Sequence, residues 1–207
     1  MKHQLLLATA LICLAASPTL AQNDNTLPRR HLGIGIHSSI FQTSDLDLTN
    51  IPPNRLIVQY DFMPTVRAEL QVGGYNKETK ESGNNLVPTD DALVASLGGF
   101  YLIPYEQAKF SVGARYRMGN MNNEEISYDT STDPYVYNNK QTISSVSGVI
   151  GGEYFFSKWF SVGAEFSLIY DKNKCTTENY SSSYTIPETT TTSTLTETSL
   201  LFRFYLN

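Results

Sequence analysis

Apolar and polar residues alternate with a period of two along most of this chain, which is the pattern of β-strands with two unlike faces. The pattern is clearest in two nearly identical segments, residues 110–116 and 160–166, which read FSVGARY and FSVGAEF. Each segment places aromatic and aliphatic side chains on one face, and Ser, Gly and one full charge on the other. These faces predict a wall with lipid outside and a narrow polar lumen inside.

The same alternation predicts eight strands, with almost no helical periodicity. Their approximate bounds are residues 31–41, 55–63, 65–75, 92–103, 109–118, 141–156, 159–171 and 195–206. The fourth segment carries apolar residues at both odd and even positions, so the pattern does not decide which of them point inward. Tight connections near Pro64, Tyr105 and Ser157 alternate with long polar ones over residues 42–54, 76–91, 119–140 and 172–194. With an even strand count, this rhythm predicts all long loops at one end of the fold and both termini at the other.

The polar face carries charges of both signs among glycines and serines, and none of the cationic residues identified there is a lysine. These residues are Asp61, Arg67, Glu69, Arg115, Arg117, Glu153, Glu165, Asp171 and Arg203. Arginine suits buried bidentate pairing with carboxylates. The sequence therefore predicts a network of paired charges inside the lumen.

The two similar segments differ in the sign of their charge, with Arg115 in one and Glu165 in the other. They are the fifth and seventh strands, so the sixth lies between them. We expect the two side chains to meet across the lumen or through Glu153. On this interpretation, reversing Arg115 alone destabilises the barrel, and exchanging both charges rescues it in part.

Aromatic residues cluster near strand ends on the apolar face, at Tyr60, Phe62, Phe110, Tyr116, Tyr154, Phe156, Phe160, Tyr170, Phe202 and Phe204. Rings at both edges of an apolar band are typical of girdles at membrane interfaces, and packing in an aromatic core is the alternative. Strands of about ten residues, tilted near 45°, cross a hydrocarbon layer of roughly 25 Å. Closure into a barrel is the simple way to satisfy strand edges in lipid.

With these features the chain resembles the small OmpA/OmpX-type outer-membrane barrels over residues 31–207. The resemblance rests on the alternation, the loop rhythm and the aromatic last strand, LLFRFYL at residues 200–206, although Leu206 and Asn207 stand where the family usually ends on an aromatic residue. It implies an all-β fold, an eight-stranded antiparallel transmembrane up-and-down β-barrel, in the bacterial outer membrane. It also implies a monomer whose partners are outer-membrane lipid, lipopolysaccharide and the barrel-assembly machinery.

The N-terminus predicts export. An apolar run over residues 5–16 is followed by small residues at Thr19 and Ala21, which predicts cleavage of a secretory signal peptide before Gln22. The run is shorter than the ~20 apolar residues of a membrane helix. We therefore expect a signal peptide over residues 1–21, a periplasmic lead over 22–30 and the barrel over 31–207.

An eight-stranded barrel is just wide enough to be filled by its own side chains, so paired charges in the lumen predict a plug with little or no stable conductance. We expect an integral outer-membrane protein with a structural role in the envelope, or a role in adhesion through four extracellular loops whose ligand is unknown. The net charge of −5 leaves no basic footprint for nucleic acid.

Three other functions stay open at this point. A small porin or channel needs an open lumen. A lipid A-modifying enzyme would use His37, the neighbouring serines and a loop carboxylate, but nothing in the sequence brings such a triad together, so we expect no enzyme. A secreted lipocalin-like carrier needs an apolar lumen and a polar exterior.

No cofactor or metal site is expected. The acidic residues of the third loop lack the spacing of a defined calcium site, and the glycines punctuate strands rather than open a helix. Once the signal peptide is removed, Cys175 is the one cysteine left, which excludes an internal disulfide. It is predicted to be a tolerated free thiol in a polar loop.

Overall fold

A computed structural model describes residues 32–43, 54–78, 89–128, 134–179 and 188–206. They form eight antiparallel strands, which close into one barrel in sequence order. The strands are β1 (Leu32–Thr43), β2 (Asn54–Met63), β3 (Val66–Glu78), β4 (Thr89–Tyr105), β5 (Ala108–Tyr128), β6 (Pro134–Ser157), β7 (Phe160–Asn179) and β8 (Thr189–Leu206). The eight-stranded up-and-down barrel is thus confirmed. The predicted signal peptide and periplasmic lead lie outside the described residues.

The barrel has two unlike ends. Tight turns at residues 64–65, 106–107 and 158–159 lie at the same end as Leu32 and Leu206, which face each other where β1 meets β8. We call this the turn end, and the opposite end, where β1 finishes and β2 begins, the loop end. A backbone carbonyl of each turn accepts a hydrogen bond from a later strand at 2.8–2.9 Å, which ties neighbouring hairpins together.

The strands of the second half run further than the alternation predicts. β5 continues to Tyr128 and β6 starts at Pro134, and β7 continues to Asn179 with β8 starting at Thr189, so most of the third and fourth predicted loops is strand. The prediction that Cys175 lies in a loop is wrong, because it lies in β7 opposite Gln141 and Thr189. The Asn, Ser and Thr content of these segments is typical of loops, but pairing across the hairpins outweighs this weak local preference.

Alternation divides the side chains cleanly between an outer and an inner face. Large apolar side chains point outward, as with Leu97, which is 63% exposed. The structure also settles the register of β4, where Phe100 and Leu102 point inward and Tyr101 outward. The Phe100 ring fits inside because its partner on β5 is Gly113, at which an added Cβ would lie 2.6 Å from that ring.

The ten aromatic residues predicted to form a girdle are all placed by strand alternation on the outer face. Eight lie near the turn end, and several of their rings touch, with centroids 5.1 Å apart for Phe160 and Phe204 and 4.9 Å for Tyr60 and Phe62. Tyr116 and Tyr170 lie nearer the loop end. Among the described side chains, the aromatic belt is therefore dense at the turn end and sparse at the other. Trp159, which the sequence prediction left out, adds to the dense side.

Candidate functional site

The barrel interior is the candidate site, because it gathers buried charges from six of the eight strands rather than from any one motif. Among the described residues, six cationic and six acidic side chains lie inside, none more than 7% exposed. They are Arg55, Arg67, Lys109, Arg115, Arg117 and Arg203, with Asp61, Glu69, Glu153, Glu165, Asp171 and Glu197. Burying so many charges is tolerable only when the signs balance and partners are close.

At the turn end, Arg67 is the centre of a first group. Its Nε donates to Asp61 Oδ1 at 2.7 Å, and its Nη2 donates to Glu153 Oε1 at 2.8 Å. Lys109 Nζ reaches Asp61 Oδ2 at 3.1 Å. The hydroxyl of Tyr205 donates to Glu153 Oε2 at 2.8 Å, so both oxygens of that carboxylate are held.

A second group occupies the middle of the interior and joins the two similar strand segments. Arg115 Nη2 lies 2.5 Å from Glu69 Oε1 and 2.9 Å from Glu165 Oε2. Arg203 Nη2 donates to Glu69 Oε2 at 2.9 Å, while its Nη1 donates to Glu153 at 2.9 Å. Arg203 therefore links the middle group to the group at the turn end.

A third group lies nearer the loop end and centres on Glu197. One oxygen of this carboxylate accepts hydrogen bonds from Arg55 and from the Ser39 hydroxyl. Its other oxygen accepts from Arg117 Nη2 at 2.8 Å. Strands β1, β2, β5 and β8 are thereby joined across the lumen by a single carboxylate.

Buried apolar side chains face the lumen beyond these charges, toward the loop end. Ala92, Met121 and Ile143 pack together with Tyr75, and Ile169 packs with Leu195. Asp171 and Ser145 lie on the same strands nearby and are also buried. These apolar side chains lie between most of the ion pairs and the loop end of the barrel.

All nine residues proposed for the lumen network face the interior, and Arg115 contacts Glu165 directly without Glu153 as an intermediary. Sequence reasoning missed Arg55, Glu197 and Lys109. The charges identified from the sequence on this face include no lysine, but Lys109 also faces the interior and pairs with Asp61. Each missed residue stands an even number of positions from a charge identified on the same strand, so the two side chains share a face. Following the alternation to the ends of the strands would have found them.

His37 does not assemble an exposed catalytic triad. Its side chain is fully buried, and Nε2 lies 3.6 Å from Glu165 Oε2 in the middle of the interior. The nearby Ser39 hydroxyl is engaged with Glu197. Within the described part of the chain, no three His, Cys, Asp or Glu side chains are grouped to hold a metal ion. The same part contains no helix long and apolar enough to cross a membrane.

Residues 6–196 match the family model described as the outer membrane protein beta-barrel domain. The chain belongs to this family. It is an outer-membrane β-barrel. Its large apolar side chains point outward and twelve of its charged side chains point inward, which excludes a secreted carrier with a polar exterior and an apolar lumen. A comparison with curated proteins found no match.

Solved structures similar to this outer-membrane β-barrel include a major outer membrane protein from Thermus thermophilus, with 10% identity, coverage of 84% of this chain and 98% of that one, and a TM-score of 0.47. Ail, the attachment invasion locus protein of Yersinia pestis, gives 13% identity, 84% and 95% coverage, and a TM-score of 0.41. The N-terminal β-barrel domain of Pseudomonas aeruginosa OprF gives 12%, 85% and 100%, and 0.38.

Proposed function

We propose that this protein is a closed barrel whose lumen is plugged by paired charges, with a structural role in the outer membrane and its partner contacts at the loop end. The observation that carries the proposal is the burial of the interior charges, none of which is more than 7% exposed. In a water-filled channel, charged side chains on the wall are hydrated. Here carboxylates and guanidinium groups from opposite walls contact one another instead.

The connectivity of the network supports a permanent plug. Arg203 on β8 contacts Glu69 on β3 and Glu153 on β6, so it crosses the lumen in two directions. Opening a path for ions would require separating such contacts. Removing one partner of a buried ion pair typically costs about 3–5 kcal/mol. Channels with aqueous lumens are built from about 16–18 strands rather than eight.

The long hairpins at the loop end support the second half of the proposal. The β5–β6 hairpin is paired as far as Tyr128 and Pro134, and the β7–β8 hairpin as far as Cys175 and Thr189. In outer-membrane barrels the short turns are periplasmic and the long connections extracellular. These hairpins would then present an ordered surface to the outside, suited to adhesion or to binding another envelope component.

Planar-bilayer recording on the refolded protein tests the plug. We expect no large, persistent channels. The Glu69→Ala variant leaves Arg115 and Arg203 with fewer partners and is expected to show more frequent brief openings. Thr142→Ala, on the outer face, is the matched control and should behave as the wild type does. Persistent porin-like conductance of the wild type would overturn the plug and favour a small channel.

We infer no catalytic role for His37, and its complete burial supports this inference. Lipid A from a strain that expresses the protein is expected to match lipid A from a strain that expresses His37→Ala. A modification present with the wild type and missing with the variant would instead identify an enzyme.

A further inference from the structure

Three exposed lysines lie close together on the outer face of β6 and β7. They are Lys140, Lys172 and Lys174. On β7, Lys172 and Lys174 follow directly after the outward apolar residues Leu168 and Tyr170, which are 47% and 58% exposed. Successive outward residues on a strand are about 6.6–6.8 Å apart. Lys172 therefore lies just beyond the apolar band, at the depth where lipid headgroups begin.

Hydroxyl side chains flank the two lysines of β7 on both neighbouring strands. Lys172 lies opposite Ser144 on β6 and Thr192 on β8. Lys174 has the corresponding neighbours Thr142 and Thr190. Directly opposed residues on paired strands have Cβ atoms about 4.5–5.5 Å apart, so each ammonium group has hydroxyl donors within reach. An array of ammonium and hydroxyl donors is suited to a phosphate group.

Other parts of the outer face differ at this edge of the apolar band. On β5, Asn122 lies opposite Lys140 and donates to the Asp91 carboxylate of β4 at 3.2 and 3.4 Å, so an acidic residue bounds the surface on that side. Lys158, which is also exposed, lies in a turn at the opposite end of the barrel. Among the described side chains, the cationic residues beyond the band at the loop end are thus confined to β6 and β7.

The ion pair between Lys174 and Glu188 does not close this surface. Their side chains are about half exposed, with Nζ 2.9 Å from Oε1. Exposed pairs of this kind are weak, because water screens both charges. A ligand with a denser negative charge can replace the Glu188 carboxylate at Lys174.

We propose that Lys140, Lys172 and Lys174, with their flanking hydroxyls, bind the phosphate group of a lipid in the outer leaflet beside β6 and β7. We call this the lysine–hydroxyl surface. The inference rests on the barrel lying in the outer membrane with its loop end outward. It is independent of whether the lumen is plugged. The occupant is a membrane lipid because the surface borders the apolar band, so that acyl chains can cover Leu168 and Tyr170 while the phosphate contacts the lysines.

Native mass spectrometry of the barrel refolded in detergent tests this surface, with bis-phosphorylated lipid A as the probe and its dephosphorylated form as the reference. Lys172→Gln/Lys174→Gln is expected to weaken retention of the phosphorylated probe roughly 30-fold, on the scale of two lysines near an anionic lipid surface. Lys158→Gln is the matched control and should retain the probe as the wild type does. Glu188→Gln removes the competing carboxylate and should raise retention.

Equal retention by the wild type and by the double lysine variant would overturn the proposal, as would equal retention of the phosphorylated and dephosphorylated probes. Displacement of the lipid by millimolar inorganic phosphate would also overturn it, because the surface would then recognise free phosphate. Lys172→Arg/Lys174→Arg keeps both charges and should restore most of the retention. These outcomes differ from failure of the proposed plug, which is read as conductance.

Discussion

At the scale of single residues, the charges of the two similar strand segments prove to be shared among several partners. Arg115 lies between Glu69 and Glu165, and Glu165 also lies 3.4 Å from Arg203. Neither Arg115 nor Glu165 thus belongs to a dedicated pair. This geometry revises the sequence-based expectation that exchanging the two charges rescues the barrel in part.

Reversing the charge in Arg115→Glu is expected to lower the free energy of unfolding by about 3–5 kcal/mol or more, because it leaves two buried carboxylates beside a third. The exchange Arg115→Glu/Glu165→Arg should give little rescue, since position 115 would still face Glu69 and position 165 would face Arg203. Urea unfolding in lipid vesicles, followed by circular dichroism, measures both effects.

The exposed Lys158→Glu variant is the control for this experiment and should change stability by no more than about 0.5 kcal/mol. If the double variant recovers most of the loss, then Arg115 and Glu165 act as an isolated pair, and the shared network is wrong.

At the scale of elements, close approach between strands depends on glycine in both similar segments. A Cβ at Gly113 would collide with the Gly99 carbonyl on β4 and lie 2.6 Å from the Phe100 ring. A Cβ at Gly163 would lie 2.6 Å from the Gly152 carbonyl on β6. The glycines leave room for neighbouring side chains inside the narrow lumen.

Gly113→Ala is expected to destabilise the barrel by about 1–3 kcal/mol, the usual cost of inserting a methyl group where packing is tight. Gly148→Ala is the matched change on the outer face of β6, where nothing lies within 4 Å of the added Cβ. It should be neutral or stabilise by about 0.4–1 kcal/mol, because it reduces the freedom of the unfolded chain. Equal effects of the two variants in urea unfolding would show that β4 and β5 adjust freely.

At the scale of the whole molecule, polarity is reversed relative to a water-soluble protein. The outer face carries exposed apolar side chains such as Leu56, Leu70 and Leu93, while twelve charged side chains are buried inside. Closure of β8 onto β1 pairs the strands into a continuous ring. Such a molecule is stable where its surroundings are apolar, because lipid covers the outer band and the ring leaves no sheet edge in the hydrocarbon layer.

The reversed polarity predicts that the protein stays in the membrane pellet after high-salt and alkaline carbonate washes, and that only detergent releases it. Salt and carbonate remove proteins held by surface charge, whereas the apolar band is held by the hydrophobic effect. Fractionation of cells that express the full chain, followed by immunoblotting, measures the distribution. Release by carbonate without detergent would count against an integral barrel.

The local pattern of this sequence was enough to predict the fold, because alternation with period two reports directly on which residues share a face of a strand. The eight strands, the tight turns and the inward direction of Arg67, Glu69, Arg115 and Arg203 all follow from it. The same rule places Phe110 and Phe160 outside. Strand ends were predicted less well, since Asn, Ser and Thr in β5 to β8 carry no alternating contrast.

Only the tertiary structure decided which charges meet. Glu69 and Arg203 are 134 positions apart along the chain, and their contact depends on barrel closure and on the stagger between strands. The register of β4 was decided in the same way, because both of its faces are apolar and the space beside Gly113 selects Phe100 for the interior. Periodicity determines the face of a side chain, whereas its partners depend on the packing of all eight strands.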